Sequence, residues 1–430
     1  MRVLVTGASG FIGRALVAAL LGRGHAVVPV LRRLPPDDAQ AIRADFADVP
    51  DRAWWRPRLA GIDALVNTVG IIREQPGQTF DALHARAPTE LFHAAAAAGV
   101  RVIVQVSALG ADDAAHSVYH RSKKVADDVL RALPLETAIV QPSLVYGPGG
   151  ASAALFDRMA VAPLLPLPAA GRMRVQPVHL DDVVAGIVQL LETPPAQPTT
   201  FHFAGAGALP LRDYLAQLRG ALGEPGPLRV LPVPAPAFRL AARVAGHLPG
   251  SVLDAETAGM LLAGNATESN ALPRLLGRPP RAVPEFVTPA AAPAARAAAS
   301  LALWLPVLRV ALALMWIWTG VVSLGLYPVQ DSHALLARVG LTGGLATVAL
   351  YGAALLDFAL GLLTLAAPAR WRRPVWLAQL ALVLGYTLLI TLFLPEYWLH
   401  PYGPLSKNLP ILAAIALLWS LEPPPQRGRR

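Results

Sequence analysis

The hydrophobic pattern changes character twice along the chain. At first, short apolar runs alternate with longer amphipathic stretches, as in buried parallel strands joined by helices. Residues 3–5, 26–31, a run ending at Val66, and 101–106 read as strands. Helical spacing follows over 14–21 and again over 79–99, the latter closing at Gly99. Around residue 287 the pattern gives way to alanine and proline, and 287–300 reads as a moderately stiff linker. Beyond it the apolar runs outgrow any strand. Residues 301–326, 341–366 and 375–394 each suffice to cross roughly 30 Å of hydrocarbon, and a shorter fourth run covers 409–421.

The predicted organisation is therefore an α/β doubly wound parallel sheet with a small substrate lobe over 1–290, the lobe coming mainly from 151–290. The 287–300 linker, an α-helical four-span membrane bundle over 301–422 and a basic tail at 423–430 complete it. Composition agrees with the membrane part. The 430 residues are 54% hydrophobic and only 15% charged, and mean hydropathy is +0.46, too apolar for an ordinary soluble chain.

Charge changes the picture further. The net charge is +9, but the arginines scatter or flank apolar runs, which points to a membrane surface and not to nucleic acid. Arg370, Arg372 and Arg373 lie between the second and third runs, and Arg427, Arg429 and Arg430 follow the fourth. Placing both clusters on the cytoplasmic side satisfies the positive-inside rule. That predicts a multi-pass protein of a bacterial inner membrane with both termini cytoplasmic. Met1-Arg2 leads straight into a strand, without the pattern of a signal peptide. Two charges, Arg309 and Asp357, fall inside spans at comparable depth and are expected to pair. Glu396, His400, Lys407 and Asn408 in the connector before the fourth run are candidates for a polar site at the outer interface.

The candidate chemistry sits in the first half. Gly7, Gly10 and Gly13 break the first strand into a helix, which brings backbone N–H groups and a helix N-terminus to one point suited to a pyrophosphate. At the end of the second strand, where an acid often accepts a ribose 2′-hydroxyl, stand Arg32 and Arg33. Guanidinium groups there favour a 2′-phosphate, hence NADP(H) over NAD(H). Asp45 is placed to bond an adenine amino group with Phe46 packed nearby, and Asn67 and Thr68 are expected to face the crevice above the sheet. Ser107 ends a strand, and Tyr119 and Lys123 stand four apart on one helical face. An ammonium beside a phenol stabilises phenolate, and a serine hydroxyl can hold a substrate oxygen. With no cysteine, disulfides, thiolate metal sites and cysteine nucleophiles are excluded. The dispersed histidines give no metal-ligand spacing.

These residues carry a resemblance. The glycine turn, Asp45, Asn67, Ser107, Tyr119-x-x-x-Lys123, Pro142-Ser-Leu-Val-Tyr-Gly-Pro148 and Pro177-Val-His-Leu-Asp-Asp-Val183 resemble an extended short-chain dehydrogenase/reductase. Val66-Asn-Thr-Val-Gly-Ile-Ile, Thr79-Phe-Asp81 and Val106-Ser-Ala-Leu-Gly-Ala-Asp112 are similar to its atypical branch, which contains the NADPH-binding accessory subunit of respiratory complex I. Gln141 departs from the pattern, which often has arginine before Pro142. The resemblance implies cofactor contacts from Gly7, Ser9, Gly10, Phe11, Ile12, Gly13, Arg32, Arg33, Asp45, Phe46, Asn67, Thr68, Pro142 and Ser143. It implies Tyr119 as catalytic acid, and Lys123 as its partner and ribose ligand, with Ser107 as the third catalytic residue. Leu394-Pro-Glu-x-Trp-Leu-His-Pro-x-Gly-Pro404 and Lys407-Asn-Leu-Pro410 resemble the DoxX-like family of four-helix membrane proteins. Two functions are then expected. One is a membrane-anchored NADP(H)-dependent oxidoreductase acting on a lipophilic carbonyl, alcohol or quinone-like substrate. The other is a non-catalytic NADP(H)-binding sensor or assembly module, with a membrane protein or a second copy as partner.

Overall fold

The computed structural model describes residues 1–34, 40–246 and 254–423. Arg427, Arg429 and Arg430, on which the expected topology leans, lie outside them. Two compact units emerge, Met1–Ala299 and Ser300–Arg430.

The first unit is built on a seven-stranded parallel sheet. Its strands are β1 (Arg2–Thr6), β2 (Ala26–Leu31), β3 (Ile42–Arg43), β4 (Ala64–Asn67), β5 (Val102–Val106), β6 (Glu136–Pro142) and β7 (Thr199–Phe203), in the order β7-β6-β5-β4-β1-β2-β3. The short apolar runs become strands because both faces are covered. Successive residues of β1 alternate between two cores: Val3 and Val5 pack with Leu16, Leu20 and Ile187, and Leu4 packs with Leu65, Leu91 and Phe92. The chain winds outward in both directions from β1 and β4, which pair side by side. A crevice opens beyond their carboxyl ends, the ligand position of doubly wound sheets.

The helix expected over 79–99 begins as a π-helical turn, Asp81–Arg86, and becomes α-helical only over Ala87–Ala97. Pro88 has no N–H for the ordinary ladder, so the wider turn precedes it. The small lobe carries short strand pairs, among them Leu165–Pro168 beside Val230–Val233, and the helices Ala235–Ala245 and Ala255–Ala263.

The expected linker is helical from Ala292, the start of a helix running to Val321. Alanine is the best helix former, and Pro293 falls in the first turn, where its missing N–H is harmless. Helices over Ala292–Leu326, Gly343–Ala366 and Ala369–Phe393 are long and apolar enough to cross a membrane. The fourth, Asn408–Leu421, has 14 residues, about 21 Å at the ordinary helical rise. A short helix, Val329–Arg338, joins the first two. Outward leucines and valines such as Leu345, Val348, Leu388 and Leu392 are exposed, as lipid-facing positions are.

Arg309 and Asp357 do not pair. Arg309 bonds Glu422 at the end of the last helix, and Arg372 lies 3.9 Å from the same carboxylate. Asp357 is buried and its Oδ1 has no hydrogen-bond partner among the described residues. The two charges do not share a depth. The turn carrying Asp357 packs beside Gly320, where a Cβ would meet Ala354 and Phe358. Arg309 lies eleven residues before Gly320 on the same helix, about 16 Å at the ordinary helical rise. The expected polar site of the outer connector is also dispersed. Glu396 pairs with Arg338 at 2.5 Å, Asn408 donates to Thr387 at 2.8 Å, and His400 stacks on Tyr397. The bundle interior instead holds a polar chain. Trp316 Nε1 donates to Gln379 Oε1 and Gln379 Nε2 donates to Thr364 Oγ1, both at 2.8 Å.

Candidate active site

The turn after β1 is shaped by two different demands. Gly7 has φ +70°, and a Cβ there would lie 2.7 Å from Thr68 Oγ1. Gly13 packs so closely beneath the turn that a Cβ would lie 2.1 Å from the Gly7 carbonyl oxygen. Gly10 N–H closes the turn on the Gly7 carbonyl at 2.8 Å and caps the helix Phe11–Gly22. The result is a bare helix N-terminus at the crevice, a favourable place for an anion.

Two adjoining chambers occupy the crevice. The first, of about 140 Å³, is walled by Gly7, Ser9, Gly10, Arg32, Asp45, Phe46 and Thr68. The second, of about 360 Å³, is walled by Phe11, Ile12, Ser107, Tyr119, Lys123, Pro142 and Ser143. Gly10, Thr68, Gly70 and Ile71 border both. One Asp45 oxygen accepts the Ala47 N–H at 3.0 Å and so fixes the turn that carries Phe46. Arg33 is exposed and is not among the wall residues.

Asn67 departs from its expected position. It is fully buried in the sheet, where its Oδ1 accepts from Thr6 Oγ1 (2.5 Å) and Val69 N–H (3.2 Å) and its Nδ2 donates to Gln105 Oε1 (2.7 Å). Strand alternation turns Asn67 inward and leaves its neighbour Thr68 on the wall. Asn67 thus shapes the loop above β4 from below.

Tyr119 and Lys123 stand on the helix Val118–Ala132, which Ser117 caps by accepting the His120 N–H at 3.0 Å. Lys123 is buried, and its Nζ donates to the carbonyls of Val69 (3.0 Å) and Val106 (3.2 Å). An ammonium has three N–H bonds, so one remains for a further acceptor. Burial brings the Lys123 pKa down to about 8, opposed by the Asp127 charge. The half-buried Tyr119 phenol is pushed up to about 12 by burial and then by Asp127.

Two residues that the motifs did not single out complete the site. Asp127, fully buried and one turn beyond Lys123, accepts from Ser107 Oγ at 2.5 Å and from Gln141 Nε2 at 3.4 Å. Burial raises its pKa to about 6 against these donors and Lys123. The spacing Tyr119, Lys123, Asp127 places all three on one helical face and is visible in sequence. Gln141, the departure from the family pattern, shares this carboxylate. His84 had no such signal. It packs edge-on against the Tyr119 ring, 5.6 Å between centroids. Its Nε2 accepts the Ile71 N–H at 3.0 Å, and Nδ1 lies 2.9 Å from Ser122 Oγ, whose own proton goes to the Tyr119 carbonyl. The imidazole is therefore the Nδ1–H tautomer, and burial and then Lys123 hold its pKa down at about 2.

Residues 3–203 match the NAD dependent epimerase/dehydratase family, and residues 313–416 match the DoxX-like family. The chain joins an epimerase-type Rossmann domain to a DoxX-like domain. The Rossmann domain is 32% identical over 200 residues to a protein named ceramide reductase from Caulobacter vibrioides, a match covering 45% of this chain and 61% of that one. It is 28% identical over 244 residues to subunit 9 of the mouse NADH dehydrogenase [ubiquinone] 1 alpha subcomplex, covering 54% and 63%. Each match spans less than two thirds of the relative's own length. Among solved structures, an NADPH-dependent quinone oxidoreductase from Escherichia coli superposes with TM-score 0.52 at 21% identity, covering 66% of this chain and 97% of that one. That likeness is one of fold.

Proposed function

We propose that this chain is a membrane-anchored, NADP(H)-dependent oxidoreductase of the short-chain dehydrogenase/reductase type, acting on a lipophilic carbonyl, alcohol or quinone-like substrate. The observation that carries this reading is the convergence of Ser107, Tyr119 and Lys123 on a chamber that adjoins the glycine-turn chamber through Gly10, Thr68 and Gly70. The residues present suit a dinucleotide. The Gly7–Gly13 turn would hold its pyrophosphate, Asp45 and Phe46 its adenine, and Arg32 a 2′-phosphate, while the remaining Lys123 N–H suits a ribose oxygen. NADP(H) supplies or takes up the hydride when bound.

The chain's own part is proton management. A phenol pushed up to about 12 stays protonated at neutral pH, so Tyr119 suits proton donation to a carbonyl oxygen, the reductive direction. Lys123, at about 8, remains charged at pH 7 and stabilises the phenolate left behind. Ser107, whose proton points to Asp127, offers lone pairs and so accepts from the hydroxyl of the alcohol that reduction forms. The relative named ceramide reductase supports a lipophilic substrate, as do the membrane-length helices of the same chain. In this reading the Rossmann unit and Arg370, Arg372 and Arg373 face the cytoplasm of a bacterial inner membrane, and the last helix completes a fourth span. The complex I subunit among the relatives supports a second reading, an NADP(H)-binding sensor or assembly module.

The test uses the full chain in detergent or nanodiscs. NADPH binding is followed by fluorescence, and its oxidation by lipid ketones or quinones is compared with that of Tyr119→Phe. The oxidoreductase reading expects unchanged binding and a loss in kcat of at least about 100-fold. Binding without turnover in either protein supports the sensor reading, and no binding overturns both.

A further inference from the structure

The helix Ala235–Ala245 in the small lobe is apolar on two sides: Ala242 is buried and Phe238 partly covered on the inner one, and a second apolar face is left outward. Of its residues only Ala242 is fully buried. At 100° per residue, Ala237, Leu240, Ala241 and Val244 fall in one arc, and all four are exposed, Leu240 and Val244 at 62% each. Arg239 and Arg243, also exposed, run along one edge of that arc. A second apolar stripe, beyond the one that packs inward, thus faces out and is bordered by cations. Leu231, on the Val230–Val233 strand, and Leu164, just before the strand paired with it, add two further exposed leucines to the lobe.

Charge identifies the occupant. Between Glu224 and Asp254 the sequence contains three arginines, Arg229, Arg239 and Arg243, and no acid. A second copy of this surface would bring like charges together across a two-fold interface. A bilayer with anionic headgroups satisfies both features, since it takes the leucine and valine into the acyl boundary and the guanidinium groups into the phosphate layer. The same chain supplies helices long enough to span that bilayer, so docking is intramolecular and needs little intrinsic affinity. We propose that the outward face of the helix Ala235–Ala245 is a docking surface for an anionic lipid bilayer. The helix packs against Ala255–Ala263, which contributes Met260 to the wall of the Tyr119 chamber. Docking therefore ties the chamber's rim to the lipid phase. The docking surface stands on the membrane reading of the bundle and not on turnover at Tyr119.

The absence of cysteine makes the test direct. Ala241→Cys in the full chain gives a single nitroxide site, and Ala18→Cys, on the exposed side of the first helix, gives a reference. The protein is placed in nanodiscs of phosphatidylcholine with or without phosphatidylglycerol. Accessibility of the label to oxygen and to a water-soluble nickel chelate is then read. The label at 241 is expected to favour oxygen over nickel in phosphatidylglycerol discs and to lose that preference in pure phosphatidylcholine, while the label at 18 favours nickel in both. Arg239→Glu with Arg243→Glu should lower the docked-to-undocked ratio about 30-fold or more. The milder Arg239→Gln with Arg243→Gln guards against misfolding, checked by circular dichroism. Equal nickel access at 241 and 18, shielding indifferent to lipid charge, or spin–spin broadening from a second copy overturns the proposal. Loss of turnover with lipid shielding intact counts only against the oxidoreductase reading.

Discussion

Ser107 donates its hydroxyl proton to Asp127, Oγ to Oδ2 at 2.5 Å, inside the protein and away from any substrate. The serine of the site is thus set as an acceptor by a carboxylate that also faces Lys123 along the same helix. The other oxygen of Asp127 has no hydrogen-bond partner among the described residues, so the carboxylate is held by few donors and its charge is felt by its neighbours.

Asp127→Asn is expected to act at a distance from the reacting atoms. It removes the charge that raises the Lys123 pKa, so Lys123 should fall below its value of about 8. The wild-type kcat/KM for reduction should decline as pH rises through about 8, where the ammonium is lost. In the variant that limb should begin at lower pH, with a loss of roughly a few-fold at pH 7.5. A pH–rate profile checks it. A simple packing defect would lower kcat/KM without moving the limb.

His84 couples the site to acid stability. Its pKa is held at about 2 in the folded chain against 6.5 when unfolded. Between those values the unfolded state binds a proton that the native state refuses, so stability is full above pH 6.5 and is lost as pH falls. At pH 4.5 the loss from this group is about 3 kcal/mol. Thermal melting between pH 7 and 4.5 should show this slope, and His84→Gln, which keeps an acceptor for the Ile71 N–H, should flatten it.

Gly13→Ala tests the cradle. Its Cβ would lie 2.1 Å from the Gly7 carbonyl oxygen, a backbone atom that yields only if the turn moves. NADPH affinity should fall at least about ten-fold, with a stability loss of about 1–3 kcal/mol from overpacking. Calorimetric titration and melting measure the two effects.

In the bundle, Gln379→Leu removes the acceptor of the buried Trp316 indole N–H and the donor to Thr364. Leaving the indole unpaired is expected to cost about 1–3 kcal/mol. Detergent melting should report it, and pairing the change with Trp316→Phe should recover part of the loss.

The parallel strands, the glycine turn and the long apolar helices were legible in the residues because each is a local pattern: side-chain period, left-handed backbone, length against bilayer thickness. The Tyr119–Lys123 pair was legible for the same reason, since helical spacing brings the two together wherever the helix lies. Asp127 continued that spacing, but its meaning depended on Ser107 arriving from another strand. What the tertiary structure alone decided is which side a residue faces and what it meets there. Asn67 turned into the sheet while Thr68 kept the crevice. Arg309 met Glu422 instead of Asp357, because the register of two packed helices, which sets Asp357 beside Gly320, is not written in either helix alone. His84 came under Tyr119 across a helix–helix contact that no spacing records. The residues by themselves determined the kinds of element and a candidate nucleotide and proton chemistry. Long-range packing determined which polar groups were satisfied internally and which were left to act on something else.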